Sequence, residues 1–335
     1  MNKEKEYETD KRTKFDRRRL LQVAGLSGLS TLVLSVVGCG SKKNVCPKDS
    51  ELTGFLKKNY FPSNGTREID PKGYIDWLKE SVFTHGELDN LPKCGIILHD
   101  AKVEQHLQKL GFNASQYKII ETGSTDPNLI YIVRKNFGKD FILNRGLPGA
   151  GGVATQAAEL YALGVEHIIH IGTCGLIGEK QKEGTPIISS GSYKDAAALI
   201  LSAPEQNAYD NTLIARPSEE LTKKISETFN IEHRIYSLAI GFTMPIYYFQ
   251  PTAVIEELIN GEFYSYKPRP SYVEMEAASL FMTAKLMGKH AASLVIGSDR
   301  YILSEGKLKH EFYDVDSDTA KSQLIEAALK TFDKM

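Results

Sequence analysis

The stretch VEMEAASLFMTAKLMGKHAASLVIGSDRY, residues 273–301, decides the fold of this chain. Apolar residues recur at four-residue spacing from Ala278 to Leu286, which predicts a buried helix, and Gly288 suits the turn after its last residue. The apolar run 292–296 is short and bounded by loop residues, as in a strand buried within a parallel sheet. The stretch therefore predicts one helix–strand unit of an α/β domain.

Carboxylates lie at the two ends of this unit. Glu274 and Glu276 open the predicted helix, and Asp299 is expected just after the strand, at the sheet edge where open α/β folds bind ligands. Each acid alone also has a structural explanation, because helix dipoles favour acids at their N-termini and Asp often follows a strand in a turn. The combination of the three indicates a site.

The motif Val-Glu-Met-Glu-Ala-Ala, followed by a strand and Ser298-Asp299, resembles the nucleoside phosphorylase superfamily. That family includes purine nucleoside phosphorylases, uridine phosphorylases and methylthioadenosine nucleosidases. The resemblance implies a single three-layer α/β domain with a twisted mixed central sheet flanked by helices, assembled as a homo-oligomer. It also implies an enzyme that cleaves the N-glycosidic bond of a nucleoside, with phosphate as co-substrate and neither a cofactor nor a metal.

A glycine-rich turn, RGLPGAGG at 145–152, lies between a predicted strand at 141–143 and a predicted helix at 153–163. A strand at 167–171 completes a βαβ unit. The turn also fits the loosened dinucleotide fingerprint G-x-G-x-x-A, but no acid stands about 20 residues later to bind a ribose, which argues against NAD. We interpret the glycines as letting backbone amides approach an anion or a sugar.

The same unit matches the family's phosphate site. The resemblance implies phosphate binding by Gly151, Thr173 and His170, with His170 at the family's arginine position. The loop at 99–102 lacks the family's Gly-Asp-Pro-x-Arg pattern and offers only Lys102 as a cation. Further strands are predicted at 94–98, 185–190 and 235–240, and further helices at 218–229 and 319–332.

The resemblance also implies the remaining site roles. Asp299 is the predicted catalytic acid that protonates the departing base, as in the family's purine enzymes. Glu276 binds the ribose hydroxyls and Met275 lies against the sugar, while Tyr247 or Tyr248 stacks on the base. Three functions stay open: purine nucleoside phosphorolysis, hydrolysis by a nucleosidase that uses water, and nucleoside binding by a non-catalytic lipoprotein.

Residues 1–38 predict an export signal. Arginines at 17–19 precede a weakly apolar run, which resembles a Tat signal, and Val-Val-Gly-Cys ending at Cys39 resembles a lipoprotein cleavage box. The Gly, Ser and Gln residues in the run make it poor as a spanning helix. We therefore expect a lipid on Cys39 and a membrane-anchored protein on the periplasmic or other extracytoplasmic side, with small-molecule substrates.

Residues 39–90 are predicted as a tether and extension, with a short helix at 74–83 in which Trp77 packs, and residues 91–335 as the catalytic domain. The chain has 335 residues, 41% hydrophobic content and a net charge of −1, which gives no indication of nucleic-acid binding. Export allows a Cys46–Cys94 disulfide, and Cys174 is interpreted as a packing residue. No cysteine spacing is typical of a metal site.

Overall fold

The computed structural model describes residues 70–81, 88, 90–122, 128–135, 138–179, 181–202, 212–248, 250–260, 268–313 and 317–335. The predicted export signal, Cys39, Cys46 and the predicted tether up to residue 69 lie outside these residues. Within the described part of the chain, no helix is long and apolar enough to cross a membrane.

The described elements alternate between strands and helices. In chain order they are α1 Pro71–Ser81, β1 Cys94–Leu98, α2 Val103–Lys109, β2 Tyr117–Thr122, β3 Asn128–Val133, β4 Phe141–Arg145, α3 Ala150–Ala162, β5 His167–Ile177, β6 Pro186–Tyr193, α4 Ala196–Leu201, β7 Ile214–Ala215, α5 Glu219–Ile231, β8 Ser237–Thr243, α6 Thr252–Asn260, β9 Tyr272–Glu274, α7 Ala277–Met287, β10 His290–Ser304, β11 Lys307–Phe312 and α8 Ser317–Asp333. A 3₁₀ turn, Ala114–Gln116, precedes β2.

The strands form one mixed sheet. Its core is parallel, in the order β4–β1–β5–β10, and β3 and β2 extend it on the β4 side by antiparallel pairing. β10 also pairs with β6, and the path β6–β8–β9 returns to β5, so five strands close into a ring. β5 and β10 thus belong to both the parallel core and the ring.

Two helical layers cover the sheet. One layer packs α1, α3 and α7 over side chains such as Ile97 and Ile168. The other packs α2, α5 and α8 over the alternate side chains, such as Ile96 and Ile169. Burial of a Leu or Ile side chain contributes about 1.5–3 kcal/mol, so strands that are apolar on both faces specify this sandwich. The predicted three-layer α/β domain with a mixed sheet is confirmed.

The helix–strand unit read first from the sequence is present with one difference. α7 is buried along most of its length and ends at Gly288, whose left-handed backbone has φ 64°. β10, however, continues through Ser304, with a bulge between Gly297 and Asp299. The expectation that Asp299 follows the strand is therefore wrong. The strand continues because β5 and the antiparallel β11 both pair with it beyond the bulge.

Three smaller expectations are also corrected. α1 begins at Pro71 rather than 74, and Trp77 is 36% exposed because Ile75 and Leu78 occupy the buried face. α3 begins at Ala150, so two glycines of the glycine-rich turn lie inside the first helical turn. Cys94 is a free, buried thiol, whereas the sequence allowed a Cys46–Cys94 disulfide.

Candidate active site

A cavity of about 410 Å³ opens at the C-terminal ends of β1, β4 and β5, next to the start of α7. This volume suits a small organic ligand. Several residues with predicted site roles line it: Thr173, Tyr247, Met275, Glu276 and Asp299. The cavity lies where the parallel core and the ring diverge, which agrees with the general position of ligands in open α/β sheets.

The other predicted site residues lie outside the cavity lining. His170 is completely buried in β5, Gly151 lies exposed in the first turn of α3, and Tyr248 is 73% exposed. Lys102 is ion-paired with Asp318 at 2.7 Å. The structure therefore gathers the predicted ribose, base and acid residues, but only Thr173 of the three predicted phosphate ligands.

Glu274 and Glu276 have different environments although they are two residues apart. Glu274 ends β9, and one of its oxygens accepts from the backbone N–H groups of Glu276 and Ala277, both at 2.6 Å. Its other oxygen accepts from the hydroxyl of Ser192 at 3.0 Å and from that of Thr243. Burial raises the pKa of Glu274 to about 7, and the neighbouring Glu276 carboxylate adds to this shift. Glu274 is thus held by the fold.

Glu276 is the carboxylate that remains available to a ligand. Its Oε1 accepts from the Gly149 N–H at 2.8 Å and lies 3.3 Å from His99 Nδ1. Burial alone would raise the pKa of Glu276, but the charge and hydrogen bond of His99 outweigh it and lower the pKa to about 2. Gly149 has φ 85°, and a Cβ there would meet the Pro245 carbonyl oxygen at 3.3 Å, so this close approach requires glycine.

Two histidines stand where the resemblance leads one to expect cationic phosphate ligands. The His99 and His170 rings are 4.8 Å apart, and a Cβ at position 146 would overlap the His99 ring, so Gly146 makes room for it. His170 Nδ1 contacts Ser293 Oγ at 2.8 Å. Burial, and then the charge of His99, lower the pKa of His170 to about 3. His170 is therefore uncharged at neutral pH.

The other charges on this side of the cavity are few. Arg145, at the end of β4, lines the cavity and is exposed. Asp100 also lines it, and its carboxylate is 2.8 Å from the Lys321 ammonium. Burial would raise the pKa of Asp100, but the Lys321 hydrogen bond and charge lower it to about 2. A bound anion would therefore meet the exposed Arg145 guanidinium, because the Lys321 ammonium is already paired with Asp100.

Asp299 lines the cavity from β10, at the opposite end of the parallel core from Arg145 on β4, and is 7% exposed. Its Oδ1 accepts from Ser298 Oγ at 2.7 Å, and its Oδ2 is 2.5 Å from His310 Nε2. Tyr301, two residues further along β10, lines the same cavity. Burial and the charge of Asp299 raise the pKa of Tyr301 to about 12, so this phenol stays protonated.

Two groups of side chains in the described residues offer metal ligands. His99, His170 and Glu276 present ligand atoms within 4.8 Å of one another, and two imidazoles with a carboxylate suit Zn²⁺ or Fe²⁺. Asp100, His106 and Asp318 form the second group, but the ammonium of Lys321 contacts Asp100 there. The Cys174 thiol also lines the cavity, and burial raises its pKa well above its ordinary value, so the thiol is protonated at neutral pH.

Arg145 and His310 are among the residues at the site for which the sequence predicted no role. Arg145 carries a positional signal, because it is the last residue of a strand in the parallel core, where ligand-binding side chains gather. His310 has no such signal in the sequence, because it comes from the exposed strand β11 and reaches Asp299 only through the β10–β11 hairpin.

The fold and the cavity together define an α/β enzyme that binds a small molecule at the end of a mixed sheet. The family model described as "Phosphorylase superfamily" matches residues 93–332. The chain therefore belongs to this superfamily, and it is an enzyme of the nucleoside phosphorylase and nucleosidase type.

Solved structures share the fold at low sequence identity. Uridine phosphorylase from Vibrio fischeri ES114 has 18% identity and a TM-score of 0.55 over 74% of this chain and 95% of that one. Purine nucleoside phosphorylase from Toxoplasma gondii, in complex with immucillin-H, has 14% identity and a TM-score of 0.55 over 73% and 91%. A futalosine hydrolase mutant of Helicobacter pylori strain 26695 has 17% identity and a TM-score of 0.52 over 73% and 100%.

Proposed function

We propose that this protein cleaves the N-glycosidic bond of purine nucleosides and that water is the attacking nucleophile. Bond cleavage leaves positive charge on the sugar and negative charge on the departing base. The observation that carries the proposal is that Asp299 on β10 and Glu276 at the start of α7 line one cavity. Asp299 supplies the proton to the base nitrogen, and the carboxylate of Glu276 accepts hydrogen bonds from the ribose hydroxyls.

The wall of the cavity supports this orientation of the nucleoside. Met275 offers an apolar thioether to the sugar, and the Tyr247 ring offers a stacking surface to the base. Tyr247 and Asp299 line the same cavity, so the ring and the acid can act on the same base. Purine chemistry follows from the acid, because a purine leaves readily once a ring nitrogen is protonated. The reaction needs no cofactor.

Charge favours water over phosphate as the nucleophile. A phosphate ion needs cations, and the predicted partner His170 is neutral and outside the cavity, while Lys102 is paired with Asp318. Asp100 and Glu276 line the same cavity and take up the charges of Lys321 and His99, so these two groups are already paired with carboxylates and are poor partners for an anion. Water carries no charge and needs no such cation. Phosphorolysis is the second candidate, and it is favoured by the presence of Arg145 and Thr173 in the lining.

The test is to incubate the full protein, solubilised from membranes, with inosine, adenosine and uridine, with and without phosphate. Hydrolysis predicts free ribose from the two purine nucleosides at a rate that phosphate does not raise. Ribose 1-phosphate that forms only with phosphate would establish phosphorolysis instead. Cleavage of uridine alone would overturn the purine assignment, and no cleavage of any nucleoside would overturn the enzyme reaction proposed here.

The location of the protein is also a proposal, supported by Arg17-Arg18-Arg19 and by the Cys39 box. Changing Cys39→Ser removes the lipid attachment, so we expect the variant to leave the membrane fraction and to keep its specific activity. A variant that sediments with membranes as the wild type does would contradict the lipid anchor. Assembly as a homo-oligomer is a further proposal, which light scattering on the solubilised protein tests.

A further inference from the structure

Asp299 has a partner that lies outside the cavity. His310 Nε2 is 2.5 Å from Asp299 Oδ2, and the other carboxylate oxygen accepts from Ser298. The His310 ring stacks on Tyr301 with ring centroids 4.3 Å apart and an interplanar angle of 6°. The Phe312 ring also packs against the His310 ring, with the two ring centroids 4.4 Å apart. The imidazole is therefore fixed in position on the acid.

His310 also connects the acid with solvent. Its side chain is 29% exposed, whereas that of Asp299 is 10% exposed. β11, which carries His310, is the last strand at its end of the sheet and pairs only with β10 among the described strands. A proton can thus reach Asp299 through the imidazole without entering the ligand cavity.

We propose that His310 is the proton relay that returns a proton to Asp299 after each turnover, an inference that rests on the proposed function. The imidazolium of His310 transfers its Nε2 proton to Asp299 Oδ2, which gives neutral imidazole and a carboxylic acid. As the bond between the sugar carbon and the base breaks, its electron pair goes to the base and the Asp299 proton goes to a base nitrogen. Water adds to the sugar cation and releases a proton to solvent, and solvent returns a proton to His310.

The other ionisable groups close to Asp299 stay protonated at neutral pH. The phenols of Tyr301 and Tyr247 and the thiol of Cys174 are close to Asp299, and burial raises the pKa of each. None of them ionises near neutral pH. The flanking Lys309 and Glu311 point to the opposite face of β11 because side chains alternate along a strand.

The decisive variant is His310→Gln. Its amide N–H can still donate to Asp299, but it cannot transfer a proton, so the carboxylate keeps its position and loses its relay. We expect kcat for inosine to fall about 10- to 100-fold with KM within about 3-fold, because the proton moves in the transition state. We also expect the alkaline limb of the kcat–pH profile to move to lower pH. His233→Gln is the matched control, because it is the same exchange at a histidine that neither lines the cavity nor contacts Asp299.

A second variant distinguishes proton transfer by His310 from a purely structural role of this residue. His310→Ala leaves a space beside Asp299, and added imidazole should restore part of its kcat in proportion to the concentration of imidazolium. A His310→Gln enzyme with the wild-type kcat and pH profile would overturn the relay. So would a His310→Ala enzyme that imidazole does not rescue although its thermal unfolding matches the wild type. If the wild type cleaves no nucleoside, the proposed function fails before these variants are compared.

Discussion

The two sides of the cavity differ in how many of the side chains expected for the reaction they contain. On the base side, Asp299 is clamped by Ser298 and His310 and lies on a paired strand. On the nucleophile side, the neutral His170 and the exposed Arg145 stand in place of a cluster of cations. Under the proposed function, leaving-group chemistry and the choice of nucleophile are separable, since each depends on different strands of one sheet.

The largest effect should come from the base side. Asp299→Asn keeps the size and most hydrogen bonds of the side chain but cannot deliver a proton. We expect kcat for purine nucleosides to fall about 10²–10⁴-fold with little change in KM. Steady-state kinetics with inosine and adenosine measures this, with Asp318→Asn as the same exchange outside the cavity. Wild-type turnover by the Asp299 variant would remove the acid from the mechanism.

The next largest effect should come from the proposed sugar site. Glu276→Gln replaces a charged acceptor with a neutral one, so ribonucleoside affinity should fall by about 1–3 kcal/mol, or about 5- to 150-fold. Titration calorimetry with a slowly cleaved nucleoside checks this. A 2′,3′-dideoxynucleoside, which lacks the hydroxyls, should bind both proteins equally. Equal affinity of wild type and variant for the ribonucleoside would take Glu276 out of the sugar site.

Glu274 should affect stability rather than turnover. Its pKa is raised to about 7 in the folded protein, above the ordinary value of 4.5. The folded state therefore binds a proton that the unfolded state loses, and the stabilisation is present at low pH and is lost as pH rises through about 7. Over this window the loss is on the order of 2–3 kcal/mol. Denaturant unfolding from pH 4.5 to 7.5 should show a flatter profile for Glu274→Gln than for wild type.

That comparison isolates one group because the neighbouring acids do not change between the two proteins. Glu276, with its pKa lowered to about 2, titrates below the window, and Asp195, with a pKa raised by burial to about 6, contributes equally to both. Parallel profiles for wild type and variant would mean that Glu274 is ionised throughout, held by its two backbone donors.

The smallest effect is expected on the nucleophile side. Arg145 is exposed, and solvent screens an exposed guanidinium. If water attacks the sugar, Arg145→Gln should change kcat/KM by less than about 3-fold, and phosphate should not alter the result. A variant whose rate becomes strongly dependent on phosphate concentration would instead place an anion beside Arg145 and reverse the order of the two candidate reactions.

The elements that could be predicted are those whose pattern is local. α7 and the strands of the parallel core are buried on both faces, so their apolar runs identify them without knowledge of their partners. The βαβ unit around the glycine-rich turn was predicted for the same reason. Their connection by short loops then places the strand ends, and hence the cavity, at one edge of the sheet.

The parts that could not be predicted depend on pairing between distant segments. β10 continues beyond Ile296 because β5 and β11 pair with it, and the apolar pattern of the strand carries no trace of the bulge. The environments of Glu274 and Glu276 differ because hydroxyls from Ser192 and Thr243, which are far away in sequence, donate hydrogen bonds to Glu274. His170 could be named from its position, but its charge state follows from burial.

The segment beyond the bulge has a consequence for inheritance and for design. The acid, the aromatic Tyr301 and the partner His310 all lie in one continuous hairpin that ends at Phe312. A single stretch of gene thus encodes the acid and the partner proposed to act on the leaving group, so one recombination event can transfer them or remove them. A related scaffold with a different nucleophile site could receive this hairpin as a cassette, provided that its β5 pairs with the incoming β10 as it does here.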